Sequence, residues 1–203
     1  MNQNQTLQRG LEQLFLAEVL TTVVGVGALL PLGDFLLSAV SLLSIGALAL
    51  MLVGLNTLRS LSRGYRAAFQ LSIVELVVAF VGGLITAVLG LYVSISHMLF
   101  ALSLIAIVAL VLESAVLYLS CGATMEMIRP IADQTAEQGG LVRMLVPVVV
   151  AVGVVGQLLY LIPLTQGISD FVTLLASVLQ VACHACFVRF LYLCRKVAAP
   201  AAR

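Results

Sequence analysis

Three glutamates lie inside long apolar stretches of this chain, where a charged side chain is unfavourable. Glu18, Glu75 and Glu113 each interrupt a run rich in leucine, valine and alanine. An ionised carboxylate at the centre of a bilayer costs about 3 kcal/mol on insertion scales unless it is hydrated, paired or protonated. Because burial favours the uncharged form of a carboxyl group, the three acids are candidates for a site that responds to protons or cations.

The same acids also admit a purely structural interpretation. Glu18 and Glu75 could extend toward a membrane interface or pair with a basic residue such as Arg189, whose long stem could equally anchor its helix. Glu18 comes seven residues, close to two helical turns, before Gly25, and Glu75 has the same relation to Gly82. Since small residues mark close helix contacts in membranes, we expect the acids to face the interior of a bundle.

The segment Cys183-His184-Ala185-Cys186 has the spacing of a thiol-redox pair or of half a zinc site. Cys194 and His184 could complete such a ligand set. Adjacent residues on a helix point about 100° apart, however, which separates His184 from Cys183. Cysteine is also a common small residue in packed helices. We therefore interpret the motif as helix packing and disfavour a membrane thiol-redox enzyme.

Other polar residues and motifs point to no further chemistry. Gln157 and Gln180 lie inside apolar stretches, where either could line a polar cavity, although hydrogen bonding between helices is the simpler explanation. Gly-x-Ser-x-Gly, His-Glu-x-x-His and a phosphate-binding loop are all missing from the sequence. We therefore predict no enzymatic activity, no cofactor and no metal.

The elements that would position these residues are membrane-spanning helices. The chain has 203 residues, of which 62% are hydrophobic and 9% charged, and a soluble domain could not build its polar surface from this composition. A bilayer core about 30 Å thick requires roughly 20 apolar residues per helix. Six stretches meet that length, at about Leu11–Leu32, Phe35–Asn56, Phe69–Val93, Met98–Leu119, Leu141–Leu164 and Ile168–Leu193.

All ten basic residues fall on one side of these stretches. They are Arg9, Arg59, Arg63, Arg66, Arg129, Arg143, Arg189, Arg195, Lys196 and Arg203. Because basic residues near membrane spans are retained in the cytoplasm, both termini are predicted to be cytoplasmic. The prediction is an all-α, six-span protein of the plasma membrane (the cell inner membrane in bacteria), with a single transmembrane domain over residues 1–203. Glu18, Glu75 and Glu113 then lie in the cytoplasmic half, so a cavity beside them should open toward the cytoplasm.

Short outer connections group the spans into three hairpins, at about 11–56, 69–119 and 141–193. Moving the second span by 62 positions onto the fourth gives nine identities over residues 36–55, among them Ser41 with Ser103. The first and third spans match through Glu18 with Glu75 at an offset of 57 positions. We therefore predict three hairpin repeats that share one orientation about an axis along the membrane normal.

The first hairpin carries a resemblance to a known family. The stretch Pro31-Leu-Gly-Asp-Phe-Leu-Leu-Ser-Ala-Val, followed by a helix rich in leucine and glycine, resembles the HdeD-like membrane proteins. The second hairpin departs from the pattern, because Val88 stands where the first has proline. The resemblance implies six spans built from short hairpin repeats and a link to acid stress without an established chemistry.

Two functions are therefore predicted. The first is a small-solute transporter, or the membrane subunit of a transport system, in which the three acids couple movement to a proton or cation. The second is a non-transporting structural or stress-related protein of the HdeD-like type, which requires no polar cavity wide enough for a solute.

The predicted partners follow from the same features. They are the lipid bilayer and, for a transporter, a small solute together with a proton or cation. The small residues Ala79, Gly83 and Ala87 are also compatible with a second copy or a partner subunit. The net charge of +1 and the scattered basic residues argue against nucleic acid.

Overall fold

The computed structural model describes residues 3–31, 34–92, 95–162 and 165–201, and within these ranges the chain is helical almost throughout. The helices are α1 (Gln3–Ala28), α2 (Asp34–Leu58), α3 (Arg63–Tyr92), α4 (Ile95–Ile128), α5 (Asp133–Glu137), α6 (Gly139–Tyr160) and α7 (Gln166–Ala201). The predicted all-α class is confirmed. The predicted span ends at Leu32, Val93 and Leu164 lie outside the described residues.

Five helical stretches in the described part of the chain are long and apolar enough to cross a membrane, and α2 adds the shorter apolar segment Leu42–Leu58. The chain is therefore a multi-pass integral membrane protein. Several helices extend beyond the predicted spans, since α4 continues to Ile128 and α6 begins at Gly139. Hydropathy marks only the apolar part of a helix, whereas α4 continues because Ala123 and Ile128 are still buried against other helices.

The six long helices form a closed ring. Each contacts its neighbour in the order α1, α2, α3, α4, α6 and α7, and α7 returns to contact α1. The most extensive contacts are those of α1 with α2, α3 with α4, and α6 with α7, which are the pairs that the hairpin prediction joins. In addition, α4 contacts α7 across the ring. The derivation of these pairs from one repeated unit, and their orientation in the membrane, stay predictions.

One end of the ring carries the arginines and the most tightly packed core. Hydrogen bonds join the start of one long helix to the end of a neighbouring one, so consecutive long helices run in opposite directions. Arg59, Arg63 and Arg143 therefore lie at the same end, which we call the arginine end. The large, fully buried side chains belong to this half of the ring and include Leu11, Leu14, Leu55, Leu58, Tyr65, Phe187 and Phe190. Many apolar side chains in the other half are exposed, as lipid contact requires.

Candidate functional site

His184 lies between two glutamates that come from two other helices. Its Nδ1 is 2.7 Å from Glu18 Oε2, and its Nε2 is 3.3 Å from Glu113 Oε1. The side-chain amide of Gln180 donates a hydrogen bond of 2.8 Å to the other oxygen, Glu113 Oε2. We call these four residues, Glu18, Glu113, Gln180 and His184, the His184 cluster. It joins α1, α4 and α7 inside the ring.

The helical spacing of α7 explains how two of its side chains reach the same carboxylate. Gln180 and His184 are four residues apart, so they lie on one face of the helix, about one turn from each other. The helix α7 contacts both α1 and α4. Each oxygen of Glu113 therefore meets a different group of α7, and this arrangement restricts the orientation of the carboxylate.

Burial is uneven across the His184 cluster. The side chains of Glu18 and His184 are 4% and 8% exposed, whereas that of Glu113 is 29% exposed. The Glu18–His184 contact is therefore largely closed to water and lipid. Of the two acids in the cluster, Glu113 is the one that a solute, water or a proton carrier can reach.

Glu113 borders four spaces, of which one is a narrow gap of about 10 Å³ beside the His184 ring and three are larger cavities. One of about 300 Å³ is also lined by Glu75 and by residues of α1 and α2, including Thr21 and Met51. A second, of about 260 Å³, reaches His184 and Gln180. A third, of about 240 Å³, lies toward α6. Glu113 is the residue that lines all three of these larger cavities.

The cavities extend from the acids away from the arginine end. On α1 the lining residues run from Thr21 to Leu29, farther from that end than Glu18. On α2 they run from Ser44 to Met51, and that helix reaches the arginine end only at Leu58. The prediction that a cavity would open on the side of the basic residues is therefore wrong. Buried leucine and phenylalanine side chains fill that end of the ring.

Glu75 lies outside the His184 cluster but faces the same space as Glu113. Both acids line the cavity of about 300 Å³. The atom Glu75 Oε2 is buried and has no hydrogen-bond partner among the described residues. Of the three predicted site residues, Glu18 and Glu113 are thus joined through His184, and Glu75 approaches them from α3 across the cavity.

The Cys183–Cys186 motif packs inside the helix bundle, but the packing interpretation did not foresee that His184 also contacts two acids. The cysteines themselves are free, and Cys183 is buried with its Sγ 4.0 Å from the carbonyl oxygen of Val142. Within the described ranges, no group of three or more His, Cys, Asp or Glu side chains is arranged to hold a metal ion.

The partner of Glu18 also differs from the one that the sequence suggests. Glu18 contacts His184, whereas Arg189, the basic partner suggested by the sequence, is exposed. Gln180, interpreted as a contact between helices, both makes such a contact and lines cavities. The spacing of Gln180 and His184 on one apolar helix is the available sequence signal for both residues.

No protein-family model, curated protein or solved structure matches this chain. Its function must therefore be inferred from its own residues and their geometry.

Proposed function

We propose that this membrane protein is a small-solute transporter, or the membrane subunit of a transport system, in which Glu18, Glu75 and Glu113 couple solute movement to a proton or cation. One observation carries the proposal. Glu113 belongs to the buried His184 cluster and at the same time borders cavities of about 240 to 300 Å³. A group in this position can exchange an ion with the cluster and contact a solute in the cavity.

The energetics of buried acids favour a functional role. Each ionised carboxylate in the membrane costs about 3 kcal/mol unless it is compensated, so apolar side chains would pack the same space more stably. Glu18 has its compensation in His184, but Glu75 has a buried oxygen with no hydrogen-bond partner in the described structure. Intramembrane acids that face a cavity are expected where ions or protons bind.

The alternative is a structural or stress-related protein of the HdeD-like type, which requires no polar cavity wide enough for a solute. The cavity that contains both Glu75 and Glu113 counts against that alternative. Its volume of about 300 Å³ is at the lower limit for sites that bind small molecules.

Reconstitution into vesicles tests the proposal. Vesicles containing a pH-sensitive and a sodium-sensitive dye would be exposed to gradients of small ammonium ions, amino acids and sugars. We expect at least one solute gradient to drive proton or sodium movement with the unmodified protein, and none to do so with Glu113→Gln. Glu126→Gln is the matched control, because Glu126 is an exposed acid on the same helix.

Native mass spectrometry of the purified protein complements the flux assay. A co-purified small molecule that is lost in Glu113→Gln would support the transport proposal and identify the solute class. Absence of both flux and a bound molecule other than lipid would instead support the structural alternative.

A further inference from the structure

The geometry of the His184 cluster points to a proton as the coupling ion, held by His184 between Glu18 and Glu113 and exchanged through Glu113. This inference deepens the proposed function, and its consequence for transport rests on that function. The identity of the bound ion itself rests only on the contacts of the cluster.

Both nitrogens of one imidazole ring face carboxylate oxygens. A neutral imidazole has one N–H group and one lone pair, so it can donate to only one of the two acids. At the other nitrogen, a lone pair would face an ionised oxygen without a proton between them, which is repulsive. Attraction at both contacts, 2.7 Å to Glu18 and 3.3 Å to Glu113, therefore requires one additional proton.

Three arrangements of that additional proton satisfy both contacts. In the first, His184 is an imidazolium that faces two carboxylates. In the second, the proton has moved from His184 Nε2 to Glu113 Oε1, leaving a neutral ring that still donates from Nδ1 to Glu18. In the third, the proton has moved from Nδ1 to Glu18 Oε2, leaving a neutral ring that donates from Nε2 to Glu113. The three forms have the same net charge of −1 over the three side chains, since only the position of the proton differs. Proton loss leaves a ring that donates at only one of the two contacts, and this weakens the packing of α7 against α4 or against α1.

The uneven burial of the cluster indicates the route by which its proton is exchanged with the cavities. Glu18 does not line these cavities and is 4% exposed, while the ring of His184 is 8% exposed and touches one cavity at its edge. Glu113 is more exposed and borders the cavities. The Gln180 amide binds Glu113 Oε2 and leaves Oε1 directed to the ring, so Gln180 is a positioning residue for the transfer.

The surroundings contain acids but supply no competing cation. Glu75 on α3 shares a cavity with Glu113, and Cys183 lies next to His184 on α7. From α6 the narrow space beside the ring receives only Val146 and Val149. Among the described residues that line the four spaces around Glu113, there is no lysine or arginine. His184 is thus the basic group available to these acids.

A metal cation fits this arrangement less well than a proton. Metal binding by histidine requires a free lone pair on one ring nitrogen. Here each nitrogen of His184 is already opposed by a carboxylate oxygen, from α1 on one side and from α4 on the other. The ring therefore has no open position for a metal unless one of the contacts breaks.

Nitrogen NMR of the histidine ring tests this inference without any solute. The chain has two histidines, so His97→Gln leaves His184 as the single labelled residue in a bilayer sample. Spectra would be recorded from about pH 5 to pH 8, the range in which histidine side chains ordinarily change charge. Infrared spectra of the same samples would detect a protonated carboxyl group.

The expected result at neutral pH is either a ring with both nitrogens protonated or a neutral ring accompanied by a protonated carboxyl band. Either signature should be lost at neutral pH in Glu113→Gln and retained in Glu126→Gln. A neutral ring without the carboxyl band across the whole range would overturn the inference. Spectra that stay unchanged in Glu113→Gln would overturn it as well.

The transport function and the assignment of the proton can be refuted independently of each other. If the NMR and infrared signatures are present but no solute moves in vesicles, the proton site stands and the transport function fails. If solute movement depends on Glu113 but His184 holds no additional proton, transport stands and the proton assignment fails. A sodium-driven flux in the vesicle assay would give the second outcome directly.

Discussion

Removing both partners of the Glu18–His184 contact, singly and together, measures whether this pair is charged. The variants are Glu18→Gln, His184→Gln and the double variant, all of which keep a polar side chain of similar size. The coupling free energy is the part of the double-variant effect that the sum of the single effects does not explain. It isolates the pair from the other contacts that each residue makes.

The structure sets the expected magnitude. The two atoms are 2.7 Å apart and both side chains are less than a tenth exposed, so solvent does not screen them. A hydrogen bond to a charged group contributes about 1.5 to 3 kcal/mol, whereas neutral hydrogen bonds between membrane helices average about 0.6 kcal/mol. We expect a coupling free energy of about 1.5 to 3 kcal/mol, because Glu18 is an ionised carboxylate both when the ring is protonated and when the additional proton lies on Glu113.

A second ion pair between the same two helices provides the control. Glu12 on α1 contacts Arg195 on α7 at 3.1 Å, but these side chains are 50% and 29% exposed. Solvent-exposed ion pairs contribute about 0.2 to 1 kcal/mol, so this second cycle should give a clearly smaller coupling. Reversible unfolding in bicelles by titration with a denaturing detergent measures both cycles.

The size of the coupling free energy shows whether Glu18 and His184 form a charged pair or a neutral hydrogen bond. A value near 0.6 kcal/mol, about the average for neutral hydrogen bonds between membrane helices, would refute the charged pair. A value no larger than that of the Glu12–Arg195 cycle would refute it as well. Glu18 and His184 would then contribute to helix packing alone.

Three further predictions concern other parts of the molecule. Glu75→Gln should abolish solute-dependent proton movement in vesicles while leaving the unfolding free energy unchanged or higher, since glutamine cannot place a negative charge at a buried position without a partner; unchanged flux would contradict this. Gly10→Ala should destabilise the protein by about 1 to 3 kcal/mol, because the added methyl group would overlap a buried leucine of α2. Gly83→Ala, where nothing lies within 4 Å, should be neutral or stabilising in the same unfolding assay. Tyr65→Phe should cost about 1 kcal/mol by loss of its hydrogen bond to Thr124, and a change in flux would show that this bond has a further role.

The membrane-protein class and the three candidate glutamates could be predicted from the sequence, because both depend on local properties of the chain. Hydropathy over a window of about 20 residues identifies a span whatever its neighbours are. A glutamate inside such a window is unfavourable in any arrangement of the helices, so Glu18, Glu75 and Glu113 stand out without knowledge of any contact. The structure bears out the helices and places all three acids around one region.

The partners of those acids were decided by the tertiary structure. Glu18 and His184 are separated by 166 positions, and they meet only because α7 returns to contact α1 and closes the ring. Sequence spacing alone could not distinguish this face of α7 from the others, so it grouped His184 with its neighbouring cysteines. The charge pattern likewise separated the two ends of the helices but did not predict the side to which the cavities extend. That side depends on where bulky residues fill the ring, which is a property of the packed helices together.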